Sequence, residues 1–333
     1  MQGTVFVTRR IPQPGLDLLA YAGLTVEVNP HDRVLSREEL LAGVRGKDGV
    51  LCLLTDKIDD AVMDAAGPRC KGFANYAVGY DNVDLTAATR RGLPVSNTPG
   101  VLTDAAADQA WALLMAAARR TVESDAFMRT GKWQGWGPMQ FLGVDLVGAT
   151  LGIVGAGRIG TVVARRAAGW QMNIIYTDPR GKPEFEEEFG ARRVELDQLL
   201  READFVSLHV ALTPQTHHLI GKRELELMKP TAVLVNTSRG PVVNEAALVD
   251  ALRERRIFAA GLDVYEHEPA AAPGLLDLPN VVACPHLGSA TIRTRTAMAT
   301  MAATNLLAML RGEMPLNCVN PEVLEGQKKK EMM

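Results

Sequence analysis

No run of apolar residues approaches the ~18 that a membrane-spanning helix requires. The opening segment, MQGTVFVTRR, has no apolar core of the kind a secretory leader carries. The expectation is therefore a soluble, cytoplasmic protein with no membrane partner. Cysteine is scarce: Cys52, Cys70, Cys284 and Cys318 are scattered, with no CxxC pair and no metal-ligand spacing to histidine. No metal is expected, and Cys52 and Cys284, set in apolar runs, read as small core residues suited to a reducing compartment. Neither sign of charge dominates. The net charge is −3 and no basic stretch is interleaved with aromatics, which argues against nucleic acid as a partner. The lysines Lys328 to Lys330 fall in a polar tail and read as a solvated end.

What is present is ample apolar material: 333 residues, 47% hydrophobic and 23% charged, enough for two domains with cores of ordinary size. From the start to about residue 98, short apolar runs alternate with helical spacings. Thr4–Thr8, Thr25–Val28, Gly49–Leu54, Lys71–Ala77 and Pro94–Asn97 read as strands. Between them lie helical patterns, one opened by the capping box Ser36-Arg37-Glu38-Glu39 and one stopped by Gly92. Such alternation means parallel βαβ units. After the break Thr98-Pro99-Gly100, Thr103 to Arg129 reads as one long helix, rich in alanine and free of proline and glycine. Its small residues suit close helix packing, in a core or across a subunit interface. A loop rich in glycine and aromatics follows, from Gly131 to Pro138.

The most informative stretch is Thr150–Asp178, TLGIVGAGRIGTVVARRAAGWQMNIIYTD. An apolar run leads into Gly155-Ala156-Gly157-Arg158-Ile159-Gly160, then a helical pattern, then a second apolar run closed by Asp178, about twenty residues on. This is the dinucleotide-binding fingerprint in its full setting of strand, glycines, helix, strand and acid. Gly155 permits the tight turn, Gly157 lets the backbone approach a pyrophosphate, and Gly160 lets helix and strand pack closely. The helix N-terminus offers free N–H groups to the phosphates, and Asp178 is placed to accept from a ribose hydroxyl. The βα alternation then continues to a strand at Val281–Cys284 and a long helical pattern over 289–311.

In open parallel sheets, ligands bind at the carboxyl ends of the strands. Val78-Gly79, Arg239, Asp263 and His286 all follow apolar strand-like runs. His286, in a Pro-His-x-Gly turn, is the leading candidate for proton transfer, since imidazole titrates near neutrality. A carboxylate beside it would fix its tautomer, and both Glu266 and Glu268 of Tyr265-Glu266-His267-Glu268-Pro269 compete for that place. Arg239 offers a planar fork that could hold a substrate carboxylate or a cofactor phosphate. An arginine, a histidine and a carboxylate beside a nicotinamide are what reduction of a 2-oxo acid requires.

Over roughly residues 4 to 320 the chain resembles the D-isomer-specific 2-hydroxyacid dehydrogenases, nearest to the glyoxylate/hydroxypyruvate reductases among them. The likeness rests on NYAVGYDNVD, SNTPGVLTDAAAD, LGIVGAGRIG, FVSLHVALTPQTHHLI, VLVNTSRGPVVNEAALVDAL, GLDVYEHEP and PHLGSAT. It implies an α/β chain of two domains, a Rossmann-type doubly wound parallel sheet inserted into a smaller flavodoxin-like α/β substrate domain. The substrate domain would take residues 1–99 and 288–320, the dinucleotide domain 100–287, and a polar tail 321–333. The resemblance places the catalytic roles on Arg239, Glu268 and His286, favouring Glu268 over Glu266 because it directly precedes the proline of the motif. It places substrate contacts on Leu53, Val78, Gly79, Arg239 and His286. Cofactor contacts fall on Thr103, Gly155, Gly157, Arg158, Ile159, Asp178, Val210, Thr216, Thr237, Ser238, Arg239, Asp263, His286 and Gly288. It also implies a homodimer, with the helix near 103–129 at the interface.

Asp178 favours NAD(H), because a carboxylate there repels a 2′-phosphate. Arg180 and Lys182 pull toward NADP(H), which stays possible. The expected substrate is a small 2-oxo/2-hydroxy acid, with glyoxylate and hydroxypyruvate first. Phosphoglycerate, D-lactate and phosphite are the related alternatives, phosphite ranked low because the Ala77–Tyr80 loop lacks lysine. A reading of another class is an NAD(H)-sensing corepressor-like binding protein.

Overall fold

The computed structural model describes residues 2–323, so Lys328–Lys330 of the expected tail lie outside the described residues. The chain divides into two compact units, one made from the chain up to Leu102 together with the residues from Ala290 onward, the other from Thr103–Ser289.

The first unit begins β1 (Thr4–Val7), α1 (Gln13–Tyr21), β2 (Thr25–Val28), α2 (Arg37–Val44) and β3 (Gly49–Cys52). It continues α3 (Asp60–Ala66), β4 (Phe73–Asn75), α4 (Leu85–Arg91) and β5 (Val95–Ser96). Local chemistry sets the helix ends. Ser36 and Glu39 form the expected capping box, and Asp59 and Asp84 cap α3 and α4 through their carboxylates. Gly92 ends α4 in the left-handed conformation that a side chain disfavours. The five strands pair in parallel in the order β2-β1-β3-β4-β5, the flavodoxin order. α2, α3 and α4 bury Leu40, Val62, Met63 and Ala88 on one side of the sheet.

The second unit opens with α5 (Thr103–Ala118) and α6 (Thr121–Arg129), followed by β6 (Thr150–Val154), α7 (Arg158–Ala167) and β7 (Asn173–Thr177). Next come α8 (Pro183–Phe189), β8 (Arg192–Arg193), α9 (Leu196–Glu202), β9 (Phe205–Leu208), α10 (Lys222–Leu227) and β10 (Val233–Asn236). It closes with α11 (Glu245–Arg253), β11 (Ala259–Leu262) and β12 (Val281–Ala283). The seven strands are parallel, in the order β12-β11-β10-β9-β6-β7-β8. The order reverses between β6 and β9, as in a doubly wound dinucleotide fold. β9, β10 and β11 are buried along their whole length, which is why they are mostly apolar, with Ser207 and Asn236 the buried polar residues among them. α5 and α7 cover one face with Ala110, Leu113, Leu114, Val163 and Ala164, and α9, α10 and α11 the other with Leu199, Leu225, Leu248 and Leu252.

α12 (Ile292–Leu310) belongs to the first unit. Its Met298, Ala299, Ala302, Ala303 and Leu306 pack with Leu16 and Leu19 of α1 on the remaining face of the first sheet. The fit is tight: a Cβ on Gly15 would stand 2.7 Å from the Ala299 carbonyl oxygen.

The single helix expected over Thr103–Arg129 is two helices. The Ala118 carbonyl, which would accept the next helical bond, instead accepts from the Val144 N–H at 3.0 Å. Arg120 turns left-handed at φ 51°, and its guanidinium is held by Glu123 and lies over the Phe141 ring. The partner that ends α5 thus comes from a loop far along the chain. α5 is a core helix, with Trp111 donating from Nε1 to the Val163 carbonyl at 3.1 Å, whereas α6 buries no residue.

Candidate active site

The fingerprint turn joins β6 to α7. Gly155 stands at φ 97°, and a Cβ there would meet the His209 carbonyl at 2.9 Å, so only glycine fits. A Cβ on Gly160 would lie 2.2 Å from the Gly155 carbonyl oxygen, the close helix–strand approach that the motif implies. Gly157 is different: a Cβ there would meet nothing within 4 Å. That space is open in the protein, and Gly157 caps α7 with no side-chain acceptor, which leaves the first N–H groups of the helix to an external partner. Thr237, just past β10, has a buried Oγ1 with no hydrogen-bond partner. Open space, uncapped N–H groups and an orphaned hydroxyl at the carboxyl ends of the strands fit a dinucleotide.

Asp178 follows β7, and its carboxylate accepts from the Ala156 N–H at 3.1 Å and the Arg180 N–H at 3.2 Å. It therefore stands against the glycine turn. Arg193 of the short edge strand β8 donates to the Asp178 and Pro179 carbonyls. The sequence reading missed this cation, because a two-residue strand has no periodicity to announce it.

Ser238-Arg239-Gly240 is shaped by Asn236 at the end of β10. Its Oδ1 accepts from the Ser238 N–H and hydroxyl, and its Nδ2 donates to the Arg239 carbonyl at 2.9 Å. Gly240 lies against the Tyr265 carbonyl so closely that a Cβ would overlap it at 1.8 Å. The Arg239 loop and the Tyr265–Glu268 segment are thereby pressed together.

That segment resolves the competition between its two glutamates. Glu266 turns to His218, 2.6 Å away, and its Oε2 accepts from the Glu245 N–H while Glu245 accepts from the Glu266 N–H. Glu268 turns to His286, whose Nδ1 lies 3.0 and 3.2 Å from the two carboxylate oxygens. Burial opposes ionisation of Glu268, but the bond to His286 and the nearby charges of His286 and Arg239 hold its carboxyl below the usual range. The pairing uses Nδ1 and leaves Nε2 as the other ring nitrogen of His286. His286 itself stands at φ 56°, its N–H bound to the carbonyls of Asp263 and Cys284. Asp263 is 1% exposed, and its carboxylate accepts from the Leu287 and Gly288 N–H groups at 2.7 Å each. Desolvation raises its pKa against those two bonds.

Thr103 opens α5. Val210 follows β9, and Thr216 is engaged with Ala211 and Thr213 in the loop beyond. In the first unit, Leu53 follows β3 on a turn held by Asp56, and Val78-Gly79 follow β4. Among the described residues no cluster of metal-ligating side chains occurs, and no helix is long and apolar enough to cross a membrane.

Comparison with known proteins matches residues 111–288 to the NAD binding domain of the D-isomer specific 2-hydroxyacid dehydrogenases. A glyoxylate reductase of Thermococcus litoralis is 52% identical over 97% of this chain and 98% of its own. A solved structure from Thermus thermophilus shares 48% identity at a TM-score of 0.90, covering 95% of this chain and 99% of that one. An NADPH-dependent glyoxylate/hydroxypyruvate reductase of Sinorhizobium meliloti, solved with NADP and malonate, shares 32% identity at a TM-score of 0.83. The match covers 96% of this chain and 97% of that one.

Proposed function

The chain belongs to the D-isomer specific 2-hydroxyacid dehydrogenases, and from that premise we propose that it reduces glyoxylate or hydroxypyruvate, yielding glycolate or D-glycerate. It is a nicotinamide-dependent oxidoreductase of 2-hydroxy acids. The nicotinamide, when bound, supplies the hydride. The observation that carries the reading is the Glu268–His286 pair at 3.0 Å, with the Arg239 charge acting on the same carboxylate. Glu268 stays ionised and holds the ring through Nδ1, which orients Nε2 toward the substrate. His286 then gives its Nε2 proton to the substrate oxygen. Arg239 holds and polarises the oxo acid, the Val78 and Gly79 N–H groups receive its carboxylate, and Leu53 limits the room for its side chain.

The open space at Gly157 and the N–H groups of Arg158 and Ile159 support pyrophosphate binding there. The Thr237 hydroxyl, Asp263 and Gly288 lie at strand ends suited to the rest of the cofactor. NADH is the favoured reductant, because Asp178 puts a negative charge where a 2′-phosphate would sit, while Arg180, Lys182 and Arg193 weigh the other way. A homodimer is supported by apolar side chains left in water after α5: Trp136 is 84% and Met139 77% exposed.

Absorbance at the nicotinamide band tests the reading, with NADH and NADPH each run against glyoxylate, hydroxypyruvate and pyruvate. Turnover of NADH with either of the first two, on the order of 1–1000 per second, is expected. Faster use of NADPH would reverse the cofactor assignment. Silence on all three acids, with cofactor binding intact, would overturn the reductase reading in favour of a binding protein.

A further inference from the structure

Three consecutive peptide planes after β4 are tied back on their carbonyl side. The Ala77 carbonyl accepts from the Thr98 N–H at 2.8 Å, the Val78 carbonyl from Asn97 Nδ2 at 2.8 Å, and the Gly79 carbonyl from Asn75 Nδ2 at 2.9 Å. These peptides are trans, so each N–H points opposite to its own carbonyl. Binding the carbonyls from the strand ends therefore turns the N–H groups of Val78, Gly79 and Tyr80 away from those ends. None of the three N–H groups has a partner among the described residues. Consecutive free backbone N–H groups make a fixed, partly positive surface for an anion.

The two asparagines are themselves locked. Asn75 is fully buried and its Nδ2 donates to Asn82 Oδ1 at 3.2 Å. Asn82 Nδ2 donates to the Leu53 and Asp56 carbonyls at 3.0 Å each, and carbonyls can only accept. That fixes which way the Asn82 amide faces, hence which way Asn75 faces, and puts Asn75 Nδ2 on the Gly79 carbonyl. Asn97 is held through its backbone, by Asn317 at its N–H and by Asn305 Nδ2 at its carbonyl.

We propose that Asn75 and Asn97 are positioning residues for substrate: by holding the Gly79 and Val78 carbonyls they aim the N–H groups of Tyr80 and Gly79 at the carboxylate of a 2-oxo acid, beside the Val78 N–H that the Thr98 backbone orients. The proposal rests on the reading that Val78 and Gly79 receive that carboxylate, and adds Tyr80 as a third donor. Neither asparagine touches the reacting atoms, so the signature is a loss of anion affinity without loss of chemistry.

The test uses the full chain with Asn97→Asp, Asn97→Ala and Asn75→Ala, and with Gly79→Pro, which deletes one N–H outright. KM and kcat for glyoxylate, inhibition by oxalate (a dicarboxylate that cannot accept hydride) and the Kd of NADH are measured together. In the asparagine variants KM and the oxalate inhibition constant should rise about ten- to a hundredfold, the loss of one charge-assisted hydrogen bond. The Kd of NADH and kcat at saturating glyoxylate should hold, as when ground-state and transition-state binding are lost equally. If Asn75→Ala does not fold, the Asn97 pair decides. Unchanged KM and oxalate inhibition in folded Asn97 variants, with Gly79→Pro still impaired, would overturn the positioning role and leave the carboxylate site standing. Gly79→Pro with unchanged KM and oxalate inhibition would overturn the carboxylate site and the proposal with it.

Discussion

At Glu268, burial and partnership act in opposite directions, and partnership wins by keeping the carboxyl ionised beside His286. Glu268→Gln keeps an acceptor for the ring Nδ1 but removes the charge beside it, so kcat/KM for oxo-acid reduction should fall about ten- to a hundredfold while the Kd of NADH holds. Steady-state kinetics with a cofactor titration check this, and an unchanged kcat/KM would remove Glu268 from that role. A second histidine bears on stability rather than chemistry. Desolvation holds the His209 ring down to about 4 from its ordinary 6.5, with Ser207 Oγ 2.8 Å from its Nε2. The folded ring is neutral while the unfolded chain takes a proton below 6.5, so its contribution is complete above that pH and is lost as pH falls toward 4. The slope is up to about 1.4 kcal/mol per pH unit. Calorimetry across that window should give a falling Tm for the natural chain and a flatter curve for His209→Gln. Parallel curves would count against the assignment.

The fingerprint element separates packing from binding within one turn. A methyl at Gly160 would strike the Gly155 carbonyl, so Gly160→Ala should cost about 1–3 kcal/mol and lower Tm by roughly 3–10 °C. Gly157→Ala enters open space and should leave Tm in place while weakening the cofactor by about tenfold or more, if a pyrophosphate lies there. Thermal melts and cofactor titration check the pair, and a Tm loss at Gly157 equal to that at Gly160 would sink the distinction. Elements of this kind were legible in the sequence because their causes are local: Ser36, Asp59, Asp84 and Asn244 cap the helices that begin after them, and buried strands read as apolar runs. The break at Arg120 was not legible, because the group that ends α5 is the Val144 N–H, and distant partners leave no mark at Ala118. The choice between Glu266 and Glu268 was open for the same reason. Two carboxylates two residues apart on an irregular segment have no period to fix their directions, and only the placement of His218 and His286 separates them. The asparagines Asn75, Asn97 and Asn236 went unread because amides that bind backbone follow no pattern of hydrophobicity.

At the scale of the whole molecule, the α/β class and both sheets follow from the alternation of apolar runs and helical spacings. The apolar surface is less evenly spent. Val122, Met128, Trp133, Trp136, Met139 and Leu142 all stay exposed in one stretch of the second unit, more than scattered surface residues would account for. If a second copy covers them, Met139→Glu should convert a species of twice the chain mass into one of single mass in sedimentation velocity, and an unchanged single mass in both would refute the dimer. The second feature with reach at this scale is α12. It fills a face of the first sheet from the far end of the chain, against Leu16 and Leu19. On a ribosome, where the N-terminal end emerges first, residues 1–102 must wait with that face bare until the helix after Ala290 is made, whereas Thr103–Ser289 is continuous and complete earlier. Proteolysis of chains arrested at successive lengths should find the later segment protected first. The protein's first hundred residues would then be the last part of it to become a finished structure.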